Sequence, residues 1–277
     1  MTPSRAALVA FAMLSAVACG ATNGGVPFDT PPDKYQRGPD GPSHPSAQEV
    51  AIVGFVGDAT SELKLSDEQR QHIDKILGAL SDKHAAALLA RKLLSRDLAS
   101  SVEADGLDES LLMLDAKNLG DARAAVAADD VSALAELHAL MDPAQRKAFA
   151  AALVSRADRL KVDDTKSRLA TWSYDLRLDD GQRATIEAKL KDDPAGDASA
   201  RAERDAWDQR LRATAAGFVE ASFQGDAFLD KNVVETTKAR TARLLTFLKI
   251  ILPELKKEQR ERAAGVIRSD VGLPSAK

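Results

Sequence analysis

Few side chains in this sequence are of a kind that does chemistry, and their spacing limits what they can do. Of the four histidines, His44, His72, His84 and His138, no two stand four apart on one helical face, as paired metal ligands on a helix would. Adjacent carboxylates occur at Asp129-Asp130, Asp163-Asp164 and Asp192-Asp193. Neighbouring residues diverge around a helix, so these pairs suit caps and turns better than a shared acid–base site. Zincin, nucleophile-elbow, P-loop and dinucleotide-binding glycine patterns are all missing. The single cysteine, Cys19, excludes an internal disulfide and any cysteine-rich zinc site. The sequence therefore predicts no catalytic residue, no metal and no cofactor. Its net charge of −4 offers no general attraction to nucleic acid.

Cys19 itself is placed for one reaction. Arg5 is followed by a 13-residue run of apolar or small residues, Ala6 to Ala18. That run is too short for the roughly 20 residues a spanning helix needs and suits the core of a signal peptide, predicting residues 1–18 as the signal. Leu14-Ser15-Ala16-Val17-Ala18-Cys19 resembles a bacterial lipobox, which implies cleavage before Cys19 and lipidation of its thiol. Residues 19–46, rich in Gly and carrying six prolines from Pro27 to Pro45, read as a disordered tether with a reach of roughly 30 Å. Gly20 rather than Asp after the cysteine favours the outer membrane by the usual sorting pattern. The expected location is periplasmic, anchored by lipid.

The remaining elements are announced by a short motif that occurs four times. Leu65-Ser66-Asp67-Glu68-Gln69 returns as Leu178-Asp179-Asp180-Gly181-Gln182, as Met141-Asp142-Pro143-Ala144-Gln145, and as Leu255-Lys256-Lys257-Glu258-Gln259. Ser66, Asp142 and Asp179 are good N-caps, and a glutamine three positions on can return a bond to the cap's own N–H. Pro143 fits the first helical position. Lys256 departs from the pattern, since lysine caps poorly. Gln69 and Gln145 are 76 apart and Gln182 and Gln259 are 77 apart, so the chain holds two copies of one unit, over 47–160 and 161–277.

Between motifs the apolar period is helical. Ile73, Ile76, Leu77, Leu80, Leu88, Leu94, Leu98 and Val102 form a drifting stripe; Asp108 restarts one through Leu111, Leu112, Leu114 and Leu119. In the second copy a helix starts at Asp179, breaks near Pro194 and Gly225, and runs again from Leu229 to Leu252. No alternating strand pattern of useful length is present, and the fold class is all-α.

These paired motifs resemble the LTxxQ motifs of the Spy/CpxP family of bacterial periplasmic proteins. The resemblance covers roughly 61–268 and implies helical hairpin units, here two in tandem, packed against each other as an intramolecular pseudo-dimer. It also implies one of two roles. The first is an ATP-independent chaperone that holds unfolded or envelope protein clients on an apolar helical surface. The second is a regulatory module that binds the periplasmic domain of a sensor protein. A non-catalytic structural lipoprotein is the third possibility. Candidate client contacts are Leu88, Leu89, Leu93, Leu111, Met113, Phe218, Phe223, Phe228 and Leu229, because leucine, methionine and phenylalanine can re-pack against many partners. The family's basic cradle is not matched: residues 61–160 carry 13 basic against 17 acidic residues, and 161–277 carry 22 against 20.

Overall fold

A computed structural model of the chain describes residues 63–158, 162–191 and 194–269 (backbone only at 194–196), together with Val56, Ala59 and Thr60. The expected signal segment, Cys19 and the tether lie outside the described residues. Among the described residues the chain forms nine α-helices and no strand. They are α1 (Asp67–Lys83), α2 (Ala85–Glu103), α3 (Glu109–Leu140), α4 (Pro143–Asp158), α5 (Thr165–Leu176), α6 (Asp180–Leu190), α7 (Pro194–Phe218), α8 (Val233–Ile251) and α9 (Lys257–Ser269).

The helix starts follow the capping chemistry. Ser66 Oγ accepts from the Gln69 N–H at 3.2 Å while Gln69 Oε1 accepts from the Ser66 N–H at 2.9 Å. Asp142 with Gln145 and Asp179 with Gln182 repeat this reciprocal box. Asp108 caps α3 by accepting from the Leu111 N–H at 3.0 Å. At α9 the lysine has no acceptor to offer, and only the glutamine half remains: the Lys256 N–H donates to Gln259 Oε1 at 2.9 Å. The drift of the first apolar stripe has a local cause. The chain leaves the helix at His84 and resumes at Ala85, so α1 and α2 are separate helices with separate faces.

Packing crosses the two sequence copies. One core gathers Ile73, Ile76 and Leu80 of α1, Leu134 and Leu137 of α3 and Phe149 and Leu153 of α4, and closes on Leu211, Ala215 and Phe218 of α7. The other gathers Leu169, Trp172 and Leu176 of α5, Ile186 and Leu190 of α6, Leu248 and Ile251 of α8 and Ile267 of α9, and closes on Leu98, Ala99 and Val102 of α2. Leu211 lies 113 residues after Leu98 and Ala215 113 after Val102, the same offset that separates Gln69 from Gln182. Equivalent segments of α2 and α7 are thus each lent to the core of the other copy. Ion pairs follow the exchange, Glu103 of α2 to Arg268 of α9 at 2.5 Å and Arg212 of α7 to Asp158 of α4 at 2.6 Å. Neither core is built from one copy alone.

The joint between the copies is the pair α3 and α8. Glu109 at the start of α3 meets Lys249 near the end of α8 at 2.7 Å, and Gly225, just before α8, lies against Val131 in the second half of α3, so the helices run antiparallel. They come close together at Gly120, where a Cβ would stand 2.7 Å from the Val234 Cα. Only glycine lets the backbones come so near.

Candidate functional site

Three features of the structure bear on function: the ends where the motifs meet, the exposed leucines, and a cavity between the copies. At the first, Gln69 Nε2 donates to Gln145 Oε1 at 2.8 Å, and Gln145 Nε2 donates back to Gln69 Oε1 at 3.0 Å. The remaining amide hydrogens go to the Leu140 and Lys64 carbonyls at 2.9 and 2.8 Å. Each glutamine also accepts from its own cap. Every hydrogen-bonding site of both amides is used, and two helix starts 76 residues apart are fastened to each other. Gln182 and Gln259 form the same clasp at 2.9 and 3.0 Å, with carbonyls of Glu254, Leu176 and Arg177 as the outer acceptors. Here Lys256 sits with its Nζ 3.7 Å from Asp179 Oδ2, so the residue that breaks the capping rule lies beside the partner motif's cap. Leu65 and Leu178 pack partly against the two cores, while Met141 and Leu255 are buried in them. The motif signalled helix starts; the pairing of its glutamines across the fold was not legible in it.

The candidate client contacts divide three ways. Leu89 (59% exposed), Leu93 and Leu111 lie on the surface, joined by Leu114 (54%), all on the α2–α3 hairpin. Leu88 and Leu229 line the cavity. Met113 packs against the second core, Phe223 packs against the first, and Phe218 and Phe228 are buried within it. Phe218 and Phe228 are therefore core residues and not surface contacts. Phe218 lies tilted against Phe149 with ring centroids 4.5 Å apart and forms a T-shaped contact with His138 at 5.2 Å. His138 is a buried, satisfied histidine whose Nε2 donates to the Glu220 carbonyl at 2.9 Å.

The cavity, about 210 Å³ and partly open to solvent, lies between α2, α3, α7 and α8. Its walls are mixed. Leu88, Leu119, Val126, Trp207 and Val233 supply apolar surface, and Arg91, Arg123, Arg204, Arg210, Arg240 and Arg243 supply guanidinium groups. Four carboxylates share the lining, and each has a cationic or imidazole partner: Asp130 with His84, Asp163 with Arg168, Asp230 with Arg210, and Glu203 with both Arg240 and Arg243. Arg210 also lies over the Trp207 ring, 5.0 Å from its centroid. Burial pulls the Arg240 pKa down to about 10, helped by the neighbouring Arg243 charge. Burial likewise lowers Arg123, against the opposing pull of Asp230, and lowers Arg243, where Arg168 adds repulsion. All three remain cations at neutral pH. The Nε groups of Arg204, Arg210 and Arg243 are buried without a hydrogen-bond partner among the described residues.

On the sequence, Arg201, Arg204, Arg210 and Arg212 read as either a mildly basic face or a solvated helix surface. Arg201 is exposed and Arg212 pairs with Asp208 and Asp158, but Arg204 and Arg210 face the cavity. The signal that could have found them is charge at helical spacing beside the buried positions, as Arg240 and Arg243 flank the buried Thr241.

Among the described residues no group of three or more His, Cys, Asp or Glu gathers to hold a metal, and no helix is long and apolar enough to cross a membrane. Comparison with family models, with curated proteins and with solved structures finds no match to this chain.

Proposed function

We propose that the protein is a lipid-anchored periplasmic holdase of Spy/CpxP-like design, which binds unfolded or envelope proteins on apolar helical surface without ATP and carries out no chemistry of its own. The observation that carries this reading is the set of large apolar side chains, Leu89, Leu93, Leu111 and Leu114, left at the surface of one hairpin while the other described leucines are buried or half-buried. Charged residues stand beside them, among them Lys92, Arg96 and Glu109. Exposed leucines with a charged surround give weak, adaptable contacts and keep a bound client soluble. In this reading the copies act as an intramolecular pseudo-dimer, supported by the reciprocal loan of α2 and α7 and by the antiparallel pairing of α3 with α8.

The test is aggregation of several unrelated unfolded clients, followed by light scattering with the full chain and no nucleotide. The reading expects suppression at near-stoichiometric amounts. Failure with every client removes it; stable binding to one folded sensor domain alone would assign the regulatory role instead.

A further inference from the structure

The cavity between the copies has features that client holding does not require. Six guanidinium groups and four carboxylates line it, and Arg204 pairs in addition with Asp205 at 3.0 Å. Holding cations in a half-buried lining costs desolvation energy, and the lowered pKa of Arg240 reflects that cost. A protein that needed only to fill this space would do so better with leucine. The arginines also face a wall of Leu88, Leu119, Val126 and Trp207, so charge and apolar surface meet in one concavity. Buried Nε donors on Arg204, Arg210 and Arg243 lack acceptors there. An oxyanion would supply the missing acceptors, since guanidinium matches carboxylate and phosphate geometry in a bidentate fork. The apolar wall would in turn take up a hydrocarbon or ring.

We propose that this cavity binds an amphipathic anion, a molecule with a carboxylate or phosphate-monoester head and an apolar body. The head sits beside the Nε groups of Arg204, Arg210 and Arg243, and the body lies along Leu88, Leu119, Val126 and Trp207. The cavity, about 210 Å³ and open at its mouth, takes the head and part of an alkyl chain. Contributions from equivalent helices of both copies, Arg91 of α2 and Arg204 113 residues later in α7, make the site a property of the assembled pair. It goes beyond client holding and does not depend on it.

Trp207 reports on the cavity directly, and Trp172, the other tryptophan, lies in the second core. With the full chain carrying Trp172→Phe, titration with dodecanoate or dodecyl phosphate is expected to change Trp207 fluorescence saturably at micromolar concentration. Whichever binds more tightly identifies the head group. Dodecanol is expected to bind at least tenfold more weakly, and so is inorganic phosphate. Arg243→Gln is expected to weaken binding of the anion at least tenfold. Should that buried substitution unfold the protein, Arg204→Gln, nearer solvent, gives the same readout with the fold checked by circular dichroism. The proposal is overturned if dodecanol binds as tightly as dodecanoate, if phosphate alone binds as tightly as dodecyl phosphate, if neither amphiphile binds below millimolar concentration, or if neither arginine variant alters the affinity.

Discussion

Gln69 and Gln145 exchange two hydrogen bonds through their side-chain amides, at 2.8 and 3.0 Å, across 76 residues of chain. The same two amides close their own helix starts. Local capping and long-range fastening are thus done by one residue type, and that accounts for the motif ending in glutamine. Glutamate could return the bond to its own cap but has no hydrogen to give its partner.

That requirement is directly testable. Gln69→Glu leaves a carboxylate facing the Leu140 carbonyl and Gln145 Oε1, and its cost is expected at about 2–4 kcal/mol from chemical denaturation. Gln69→Ala is expected to cost less, about 1–2 kcal/mol, because no charge is stranded. Equal losses for the two variants would mean that the amide pairing contributes nothing beyond the cap.

Gly120 sets the distance between α3 and α8. Alanine there gains up to about 1 kcal/mol of helix propensity but must displace the Val234 backbone, so Gly120→Ala is expected to lower stability by about 1–3 kcal/mol. Gly78 in α1 has open space where a Cβ would go, and Gly78→Ala is expected to raise the melting temperature by a few degrees. A comparison of the two melting curves checks both signs at once.

Asp115 carries a pH-dependent penalty. Its carboxyl is buried in α3, and burial, reinforced by the adjacent Asp97 charge, raises its pKa. A raised acid weakens the fold wherever it is ionised, and the penalty disappears once pH falls below the unfolded value of about 3.9. Asp115→Asn is therefore expected to stabilise the protein by about 1 kcal/mol at pH 7 and to make no difference near pH 3. Urea midpoints measured at the two pH values decide it.

Glu103 behaves in the opposite sense. Two bonds from the Arg268 guanidinium, at 2.5 and 2.7 Å, hold its carboxyl below the usual range. Its contribution is present above the unfolded glutamate pKa of about 4.3 and fades as pH drops through the lowered folded value. Glu103→Gln is expected to cost about 1–2 kcal/mol at pH 7, converging with the parent at strongly acid pH. Because this pair joins α2 of one copy to α9 of the other, the same experiment tests the exchange of helices.

Much of the local structure was legible because it is written in local chemistry. Ser66, Asp108, Asp142 and Asp179 each start a helix for the capping reason their side chains suggest. Helix α5 was missed because it lies ahead of the second motif, and its core positions Leu169, Trp172 and Leu176 are separated by polar residues that dilute the stripe. The exchange of α2 and α7 was not readable, because periodicity identifies which face is buried and says nothing of which partner covers it. The same gap concealed the cavity: on a one-dimensional helix Arg204 and Arg210 look solvated, and only the approach of α2, α3 and α8 encloses them.

The claim of client holding rests on the exposed leucines of the α2–α3 hairpin, and substitution there tests it most directly. Leu89→Gln with Leu114→Gln, at positions 59% and 54% exposed, is expected to leave the melting temperature within a few degrees of the parent. In the light-scattering assay the double variant should lose most of the suppression that the parent shows at equal concentration. A variant that unfolds at the parent's temperature and suppresses aggregation just as well would contradict the account.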